Sequence, residues 1–550
     1  MPRILPLLLI LPVCAGLAGT IAPAFALAAP DGPNLSAFRA LFDQPGTLTS
    51  IKLSLTTGLA ATVLALALAV LIPAALSGTA AFRRIQVLLS PLLALPHAAA
   101  ALGLAFLIAP SGWIARAISP WATGWTIPPD LLILNDPAGI ALTFGLIAKE
   151  LPFLLLMTIA ALPQTDAAQR LNLAATLGYG RIAGFLFTVG PPLYRQLRLP
   201  SFAVLTYAMT TVDMAVILGP TSPSTLAVSI TRWMTDPSLS RQNLAAAAAL
   251  VQLATVVAAL ILWRIGEAVA ASVLTSAAFL GLRLTRLDAI TPMIHLITTI
   301  LTLALIAGIA ALALWSFAGL WPFPAARPQT LTLATWQSAA SALIQTSTAT
   351  LTIATMATAI ALALTLAALQ AEHEFALPPA NPVLIYLPLL LPQICLLPGI
   401  AVLMLRLGIT GSPSAVIAAH VLFVLPYVHL SLAAPFRAWD RRIATTAAAL
   451  GASPARIFWH LRLPMLTAPV LTAAAIGLAV SVAQYLPTLL IGGGRVITLT
   501  TEALALSSGG NRRLTAAYAL LQTLIPLLAF AAALLAPRFL FRNRRLMQVH

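Results

Sequence analysis

The stretch AAALGASPARIFWHLRLP, at residues 447–464, is polar and contains two arginines, yet long apolar runs flank it on both sides. A diverged copy, AATLGYGRIAGFLFTVGP, occupies residues 174–191, and in each copy a proline lies thirteen residues after a glycine. A second match pairs LPHAAAALG at 95–103 with LPQICLLPG at 391–399. We therefore interpret the chain as an internal duplication in which each half carries the same loop after its fourth apolar run.

The composition of the 550-residue chain predicts an integral membrane protein, because 60% of its residues are apolar and only 8% are charged. Its net charge of +16 comes from basic residues scattered among apolar runs. Nucleic-acid binding needs a basic face interleaved with aromatic residues, so we exclude that class. Cys14 and Cys395 lie far apart inside apolar segments, which indicates neither a disulfide framework nor a metal site.

Apolar runs of membrane-spanning length predict an all-α membrane protein of about twelve transmembrane helices, arranged as two repeated six-helix domains. The predicted domains are residues 1–265 and 293–550, and residues 266–292 form a cytoplasmic interfacial linker. The excess of Lys and Arg on alternate loops predicts that both termini and both repeated loops are cytoplasmic. The predicted spans begin near Ile4, Leu53, Ile85, Gly139, Leu199, Leu244, Met293, Ala342, Val383, Ser414, Met465 and Thr515.

The first apolar run, at residues 1–29, has two interpretations. Its basic start and the Ala-Phe-Ala at residues 24–26 resemble a signal peptide with a cleavage site. The apolar part is long for a signal peptide, however, and its removal would leave the first half with an odd number of spans. We expect it to be retained as a membrane helix.

Local propensities predict a helix, a tight turn and a second helix within residues 441–464. Gly451 can adopt the left-handed conformation that ends a helix. Ser453 is a suitable N-cap, and Pro454 then occupies the first helical position. Bulky aromatic residues among basic ones suit insertion into a groove on a partner. The alternative is an amphipathic loop on the lipid headgroups, but two copies at matching positions favour a docking element.

These stretches resemble the EAA loop of ABC importer permeases, which reads Glu-Ala-Ala, three residues, Gly, nine residues, an aliphatic residue, any residue and Leu-Pro. Both copies lack the glutamate, and the first copy has Gly-Pro where Leu-Pro is usual. The whole chain resembles the fused, two-domain permeases of type I (MetI-like) importers, such as those for thiamine and ferric iron. The resemblance assigns ATPase coupling to Gly178, Arg181, Pro191, Gly451, Ser453, Arg456, Phe458, Trp459 and Pro464.

By this resemblance the chain is the pore in a bacterial inner membrane, two copies of a separate ABC ATPase dock on its loops, and a periplasmic binding protein delivers the solute. The sequence also indicates, apart from the resemblance, that ATP does not bind to this chain. The two lysines, Lys52 and Lys149, both lie outside any GxxxxGK[ST] sequence, which is the loop that cradles phosphates. We therefore expect no cofactor on this chain, with ATP and Mg²⁺ bound by the partner subunit.

Ionisable residues within predicted spans are candidates for the transport pathway, because charges in a bilayer are costly. Lys149 and Glu150 lie in the fourth span and Asp213 in the fifth. We expect the two acids to face the pathway, with Lys149 partly neutralising them; the alternative is a structural role for Lys149, paired with Asp213 or held near a kink before Pro152. Acidic groups suit a cation such as thiamine, although ferric complexes and polyamines remain open. The polar counterparts in the second half are Gln484, His420 and His429.

Two other function classes compete with the importer. A secondary transporter driven by an ion gradient also has twelve spans in two halves, but it does not need the repeated loop after span four. A membrane enzyme would need paired carboxylates or a metal cluster, so we expect a transporter and not an enzyme. The outer loops at 219–243 and 492–513 are either flexible connections or contact sites for a binding protein, through Arg495, Arg512 and Arg513.

Overall fold

The computed structural model describes residues 4–27, 32–375, 377–379 and 381–540. Over these residues the predicted all-α membrane fold is confirmed, with one isolated antiparallel bridge between Ala318 and Leu331. The chain ends at residues 1–3 and 541–550, which we predict to be cytoplasmic, lie outside the described residues. The first half contains α1 (Ile4–Ala24), α2 (Ser36–Asp43), α3 (Thr47–Leu76), α4 (Ala80–Ala94), α5 (His97–Ile108), α6 (Trp113–Ile118), α7 (Ile140–Ala161), α8 (Ala167–Thr176), α9 (Arg181–Gly184), α10 (Gly190–Thr210), α11 (Asp213–Leu218), α12 (Leu226–Met234) and α13 (Leu239–Phe279).

The second half repeats this order. A 3₁₀ helix at Thr285–Ile290 leads into it. Its helices are α14 (Thr291–Phe317), α15 (Ala334–Ser338), α16 (Ala340–Glu374), α17 (Pro382–Leu390), α18 (Gln393–Arg406), α19 (Pro413–Arg437), α20 (Arg441–Ala449), α21 (Pro454–Ile457), α22 (Leu463–Met465), α23 (Thr467–Ala483), α24 (Leu486–Gly492), α25 (Leu499–Ser507) and α26 (Arg512–Leu540).

Within the described ranges, 9 helical segments are long and apolar enough to cross a bilayer, or up to 11 if each of two bent pairs is one span. The bends measure 91° between α17 and α18 and 74° at the start of α23. The span predicted near Leu199 corresponds to α10, which is not among these segments and contains Arg195 and Arg198. The span predicted near Ile85 begins instead at His97, because Pro96 separates α4 from α5.

The predicted domain boundary falls inside a continuous helix. Helix α13 is 41 residues long, so at 1.5 Å per residue it measures roughly 60 Å, about twice the hydrocarbon thickness of a bilayer. Val269, Val273 and Phe279, which belong to the predicted linker, are exposed on its second part. The helix ends only at Phe279, inside the predicted linker, so the division into domains remains a prediction from the repeat.

Each half packs its first helix against the other half. Helix α1 packs against α18, and α14 packs against α5. Glycines allow both contacts: a Cβ added to Gly19 would lie 2.5 Å from the Cα of Gly399, and one added to Gly308 would lie 3.0 Å from the carbonyl carbon of Gly103. Such close approach of backbones is typical of helix pairs in membranes. The two halves are therefore interlocked by an exchange of helices that follows the internal repeat.

Candidate translocation site and repeated loops

Helix interruptions at corresponding positions of the two halves define the candidate translocation site. Helix α10 ends just before Thr211, whose ψ is 133°, and α23 ends just before Gln484, whose ψ is 106°. Helices α5 and α18 begin at His97 and Gln393, each directly after a Leu-Pro pair. In a bilayer, interrupted helices are tolerated where the freed backbone groups are buried in protein or line a water-filled cavity.

Polar side chains of the first half form a connected cluster at these interruptions. Glu150, on α7, places Oε1 3.0 Å from Nε2 of His97. The His97 ring lies 4.5 Å from the ring of Tyr207. The Tyr207 hydroxyl donates to Oδ1 of Asp213 at 3.3 Å, and the Thr211 hydroxyl donates to the same oxygen at 2.7 Å. A carboxylate therefore lies at each end of the cluster.

The second half meets this cluster at its own interruptions. Nε2 of Gln393 donates to Oε1 of Gln484 at 3.5 Å, which joins α18 to the break after α23. The Thr206 hydroxyl of α10 donates to the carbonyl of Leu390 at 3.3 Å, which joins the two halves. The polar groups of the two halves therefore lie at their common boundary.

Two tyrosines of the second half approach the acids of the first. Tyr427 interacts electrostatically with Glu150, and Tyr485 with Asp213. Both carboxylates are buried, with exposed fractions of 6% for Glu150 and 7% for Asp213. Buried carboxylates beside aromatic rings form an environment that favours a cation, since the charge attracts it and the ring faces can hold it.

The structure thus brings together two of the four predicted pathway residues, Glu150 and Asp213, through His97 and Tyr207, while Gln484 bonds to Gln393 at the break after α23. Lys149 is buried on the same helix as Glu150, and in the described part of the chain no ion pair joins it to Asp213. Lys149 interacts electrostatically with the neighbouring Glu150. Of the two predicted alternatives for Lys149, the pair with Asp213 is therefore not formed.

The buried histidines of the second half differ from His97. His420 is held by the hydroxyls of Ser481 and Thr488 at 2.8 and 2.9 Å, as a packing residue would be. His97 was not among the predicted site residues. The repeat contained the signal for it, because the alignment of residues 95–103 with 391–399 pairs His97 with Gln393. Tyr207, Tyr427 and Tyr485 carried no comparable signal.

We call residues 167–191 the first repeated loop and residues 441–464 the second repeated loop. Gly178 and Gly451 have φ angles of +79° and +83°, and a short helix follows each. A turn of π-helix comes next, at Phe185–Val189 and Phe458–Arg462. The predicted helix, turn and helix are therefore present in both loops, with a π-turn where the sequence predicts a regular second helix.

The second repeated loop presents apolar side chains to its surroundings. Leu450 is 83% exposed and Trp459 is 61% exposed, and the rings of Phe458 and Trp459 are 5.0 Å apart. Ser453 caps the short helix by accepting a hydrogen bond from the amide of Arg456 at 3.3 Å. Of the predicted docking residues of this loop, Gly451, Ser453, Arg456 and Trp459 are thus exposed, Phe458 is half-buried against the core, and Pro464 lies in α22.

The base of the second repeated loop is held by a buried arginine. Nη1 of Arg462 donates to Oε1 of Gln370 at 2.7 Å, and its guanidinium lies 4.2 Å from the ring of Trp439. Arg462 also contacts His373 through its other Nη atom. The exposed anchors are therefore carried on a fixed support.

The first repeated loop exposes Leu173 and Leu177 before its turn, with exposed fractions of 61% and 56%, but it is buried after the turn. Ile182 and Phe185 are 0% and 2% exposed. Nε of Arg181 donates to the carbonyl of Ala74 at 2.9 Å, and its Nη2 donates to the carbonyl of Ser77. Arg181 therefore fastens the loop to the end of α3. Pro191 is the second residue of α10, directly after the π-turn.

At the predicted outer loops, one of the arginines that we proposed as contacts for a binding protein is already bonded within this chain. Arg512 donates from Nη1 to the carbonyl of Ser111 at 3.1 Å, and its guanidinium lies 5.4 Å from the ring of Trp315. Arg512 therefore joins α26 to the first half, and only part of its side chain remains available to a binding protein.

Comparison with known proteins identifies the family. The family described as binding-protein-dependent transport system inner membrane component matches residues 377–542. The chain is 32% identical over 514 residues to the inner membrane ABC transporter permease protein YnjC of Escherichia coli (strain K12), covering 92% of this chain and 91% of that one. It is 33% identical over 126 residues to the molybdenum transport system permease protein ModB of Mycobacterium tuberculosis, covering 20% of this chain and 47% of that one. The chain therefore belongs to the binding-protein-dependent inner-membrane permeases of ABC transporters, and it is a multi-pass transport protein and not an enzyme.

Proposed function

We propose that this chain forms the whole pore of an ATP-driven importer for a small organic cation, thiamine being the kind of solute that fits. The observation that carries the proposal is the cluster of two buried carboxylates and three tyrosines at the boundary of the halves, where helices of both halves are interrupted.

The charge of the cluster supports a cationic solute. A buried carboxylate is stable only when it is paired or well hydrogen-bonded. Glu150 has His97 beside it, but Asp213 forms no ion pair with a basic side chain in the described part of the chain. A permeating cation would supply the missing positive charge, and Tyr207 and Tyr485 would offer ring faces to it. The name of ModB states that it transports molybdenum, but that match covers too little of this chain to guide the substrate.

Energy would come from two copies of a separate ABC ATPase, one on each repeated loop. The exposed Leu450 and Trp459 support docking at the second loop, since buried aromatic anchors dominate most interfaces. Closure of the ATPases on ATP would move both loops and switch the pore between outward and inward openings. Both loops and both chain ends would then be cytoplasmic, and a periplasmic binding protein would meet the other face. Membership of an ABC family favours ATP over the alternative energy source, an ion gradient.

The proposed binding of an ABC ATPase is tested by purifying the tagged chain from its own cells in mild detergent. A P-loop ATPase should accompany it at two copies per chain, and its recovery should be weakened by Gly451→Pro, because proline cannot adopt the φ of +83°. Gly408→Pro is the matched control, since Gly408 has a φ of +70° in an open loop elsewhere. A chain that purifies alone and moves solute with an ion gradient would contradict the proposal.

The substrate class is tested by uptake of labelled thiamine, spermidine and molybdate into cells that overproduce the complex. We expect uptake of a cation, reduced about tenfold or more by Glu150→Gln or Asp213→Asn through loss of a charge-assisted contact. Asp130→Asn, in an exposed loop, is the control. Uptake of molybdate, or unchanged cation uptake in both amide variants, would contradict the cation assignment.

A further inference from the structure

The two repeated loops start their short helices with different caps. In the second loop, Ser453 supplies the cap from within the loop. In the first loop the corresponding residue is Gly180, which has no side chain. There Asp288 takes over: its Oδ2 accepts from the amide of Arg181 at 2.8 Å and its Oδ1 from the amide of Ile182 at 2.8 Å. The cap of the first loop therefore comes from the segment that joins the two halves.

Glycines make room for this segment on the first loop. A Cβ added to Gly180 would lie 2.8 Å from Oδ2 of Asp288 and 3.1 Å from the Cα of Thr285. A Cβ added to Gly178 would lie 2.9 Å from Nη1 of Arg283. The corresponding Gly451 of the second loop has nothing within 4 Å. The segment therefore lies directly on the turn of the first loop, whereas within residues 4–540 no described segment lies on the turn of the second.

The same segment is fastened a second time, near its start. Glu267, on α13, accepts a hydrogen bond from the hydroxyl of Tyr194 at 2.5 Å. Its other carboxylate oxygen lies 3.2 Å from Nη2 of Arg198. Tyr194 and Arg198 both belong to α10, which continues from the first loop. Residues 267–288, which we call the strap, are thus held at both ends by the first loop and the helix after it.

The strap leads directly into the second half. Asp288 lies in the 3₁₀ helix Thr285–Ile290, and α14 begins at Thr291 without an intervening loop. Helix α14 packs against α5 through Gly308 and Gly103, and α5 begins with His97 of the polar cluster. A continuous series of packed groups therefore joins the first loop to the candidate translocation site through a helix of the opposite half.

We propose that Asp288 is a positioning residue for transport, and that through it the strap makes the first repeated loop and α14 move as one unit. A displacement of the first loop then reaches both halves, whereas a displacement of the second loop acts on its own half. The proposal that an ATPase produces this displacement rests on the proposed function, but the mechanical connection does not.

The connection is tested by hydrogen–deuterium exchange on the full chain in lipid nanodiscs, without any partner. In Asp288→Ala, the amides of Arg181 and Ile182 should exchange about tenfold faster, because each loses a charge-assisted acceptor. The first turn of α14, from Thr291, should also exchange faster. Asp236→Ala is the matched control, since Asp236 accepts from the amide of Ser238 at 2.9 Å far from the strap. Unchanged exchange at both places in Asp288→Ala would overturn the proposal.

The double variant Gly180→Ser with Asp288→Ala tests whether Asp288 only caps the short helix or also connects the first loop to α14. Serine at position 180 can cap the first loop as Ser453 caps the second, because the carboxylate nearest to its Cβ is gone and Thr285, at 3.1 Å, has to move by only a few tenths of an ångström. We expect protection of Arg181 and Ile182 to return while the start of α14 stays fast in exchange. If α14 recovers as well, Asp288 is only a cap and the proposal fails.

The last experiment measures solute import per ATP hydrolysed in the complex reconstituted with ATPase and binding protein. Both variants that lack Asp288 should hydrolyse ATP but import about tenfold less solute per ATP. Full uptake in the double variant would overturn the proposed connection. If the unchanged chain shows no ATP-dependent uptake, the proposed function fails instead, and the exchange at α14 still decides whether the strap connects the halves.

Discussion

The two repeated loops have the same backbone but different surroundings. Both turn at a glycine with positive φ and continue into a π-turn. Before the turn, both loops expose a leucine, Leu177 or Leu450. After it, the first loop is buried, tied to α3 by Arg181 and covered by the strap, whereas the second exposes Trp459 over a base held by Arg462. Duplication preserves what depends on local backbone preference, and the contacts of each copy then diverge. The comparison indicates a fastened loop and a free docking loop in one pore.

The largest effect is expected where the helix that receives the strap crosses the first half. Gly308→Leu should destabilise the fold by about 3 kcal/mol or more, because a side chain there meets the backbone of Gly103. The measurement is thermal unfolding of the purified chain in detergent. Gly266→Leu is the control, since Gly266 has nothing within 4 Å. Equal stability of the two variants would show that α14 does not depend on this contact.

A somewhat smaller effect is expected at the base of the second loop. Arg462→Ala should cost about 3 kcal/mol, because Gln370 loses a buried partner and Trp439 loses a cation–π contact. The corresponding residue of the first loop is the buried Val189, and Val189→Ala should cost only about 1 kcal/mol. Thermal unfolding of the two variants compares the supports directly. A larger loss at Val189 would reverse this part of the comparison.

The two loops should also differ in how much each contributes to ATPase docking, which one substitution in each loop can compare. Trp459→Ala should alter the free energy of unfolding by less than about 0.5 kcal/mol, since the side chain is exposed. It should weaken capture of the ATPase by about 2 kcal/mol, as loss of an anchor does. Leu186, its counterpart, is half-buried, so Leu186→Ala should cost stability and change capture less. Titration of the ATPase onto immobilised permease measures capture, and equal losses at both positions would mean equivalent loops.

The smallest effect concerns the caps. Ser453→Ala should destabilise the second loop by about 1 kcal/mol, with faster amide exchange confined to residues 455–457. Because the bond is local, no helix outside the loop should respond. A change in exchange at a distant helix of the second half would show that this loop, too, is connected to a larger unit.

The class of the protein and the backbone of its loops were predictable from the sequence because both depend on local properties. Hydropathy identifies membrane segments, the requirement for a left-handed residue identifies Gly451 as a turn, and the repeat aligns Gly178 with it. The prediction was wrong at the third span because Pro96 ends α4 and the span begins at His97. For the span predicted near Leu199, the repeat indicated a helix, and α10 is that helix. Its arginines lower its apolar character, so hydropathy alone does not identify it as a membrane segment.

The partners of those local elements were decided only by the tertiary structure. Glu150, Asp213 and Gln484 were recognisable because ionisable and polar groups are rare in membrane segments. Their neighbours Tyr207 and Tyr485 were not, since tyrosine has many ordinary roles in a membrane helix. The cap from Asp288 to Arg181 joins residues 107 apart in sequence, and the exchange of α1 and α14 joins opposite halves. Contacts of this range depend on how helices pack, which no local pattern of residues records.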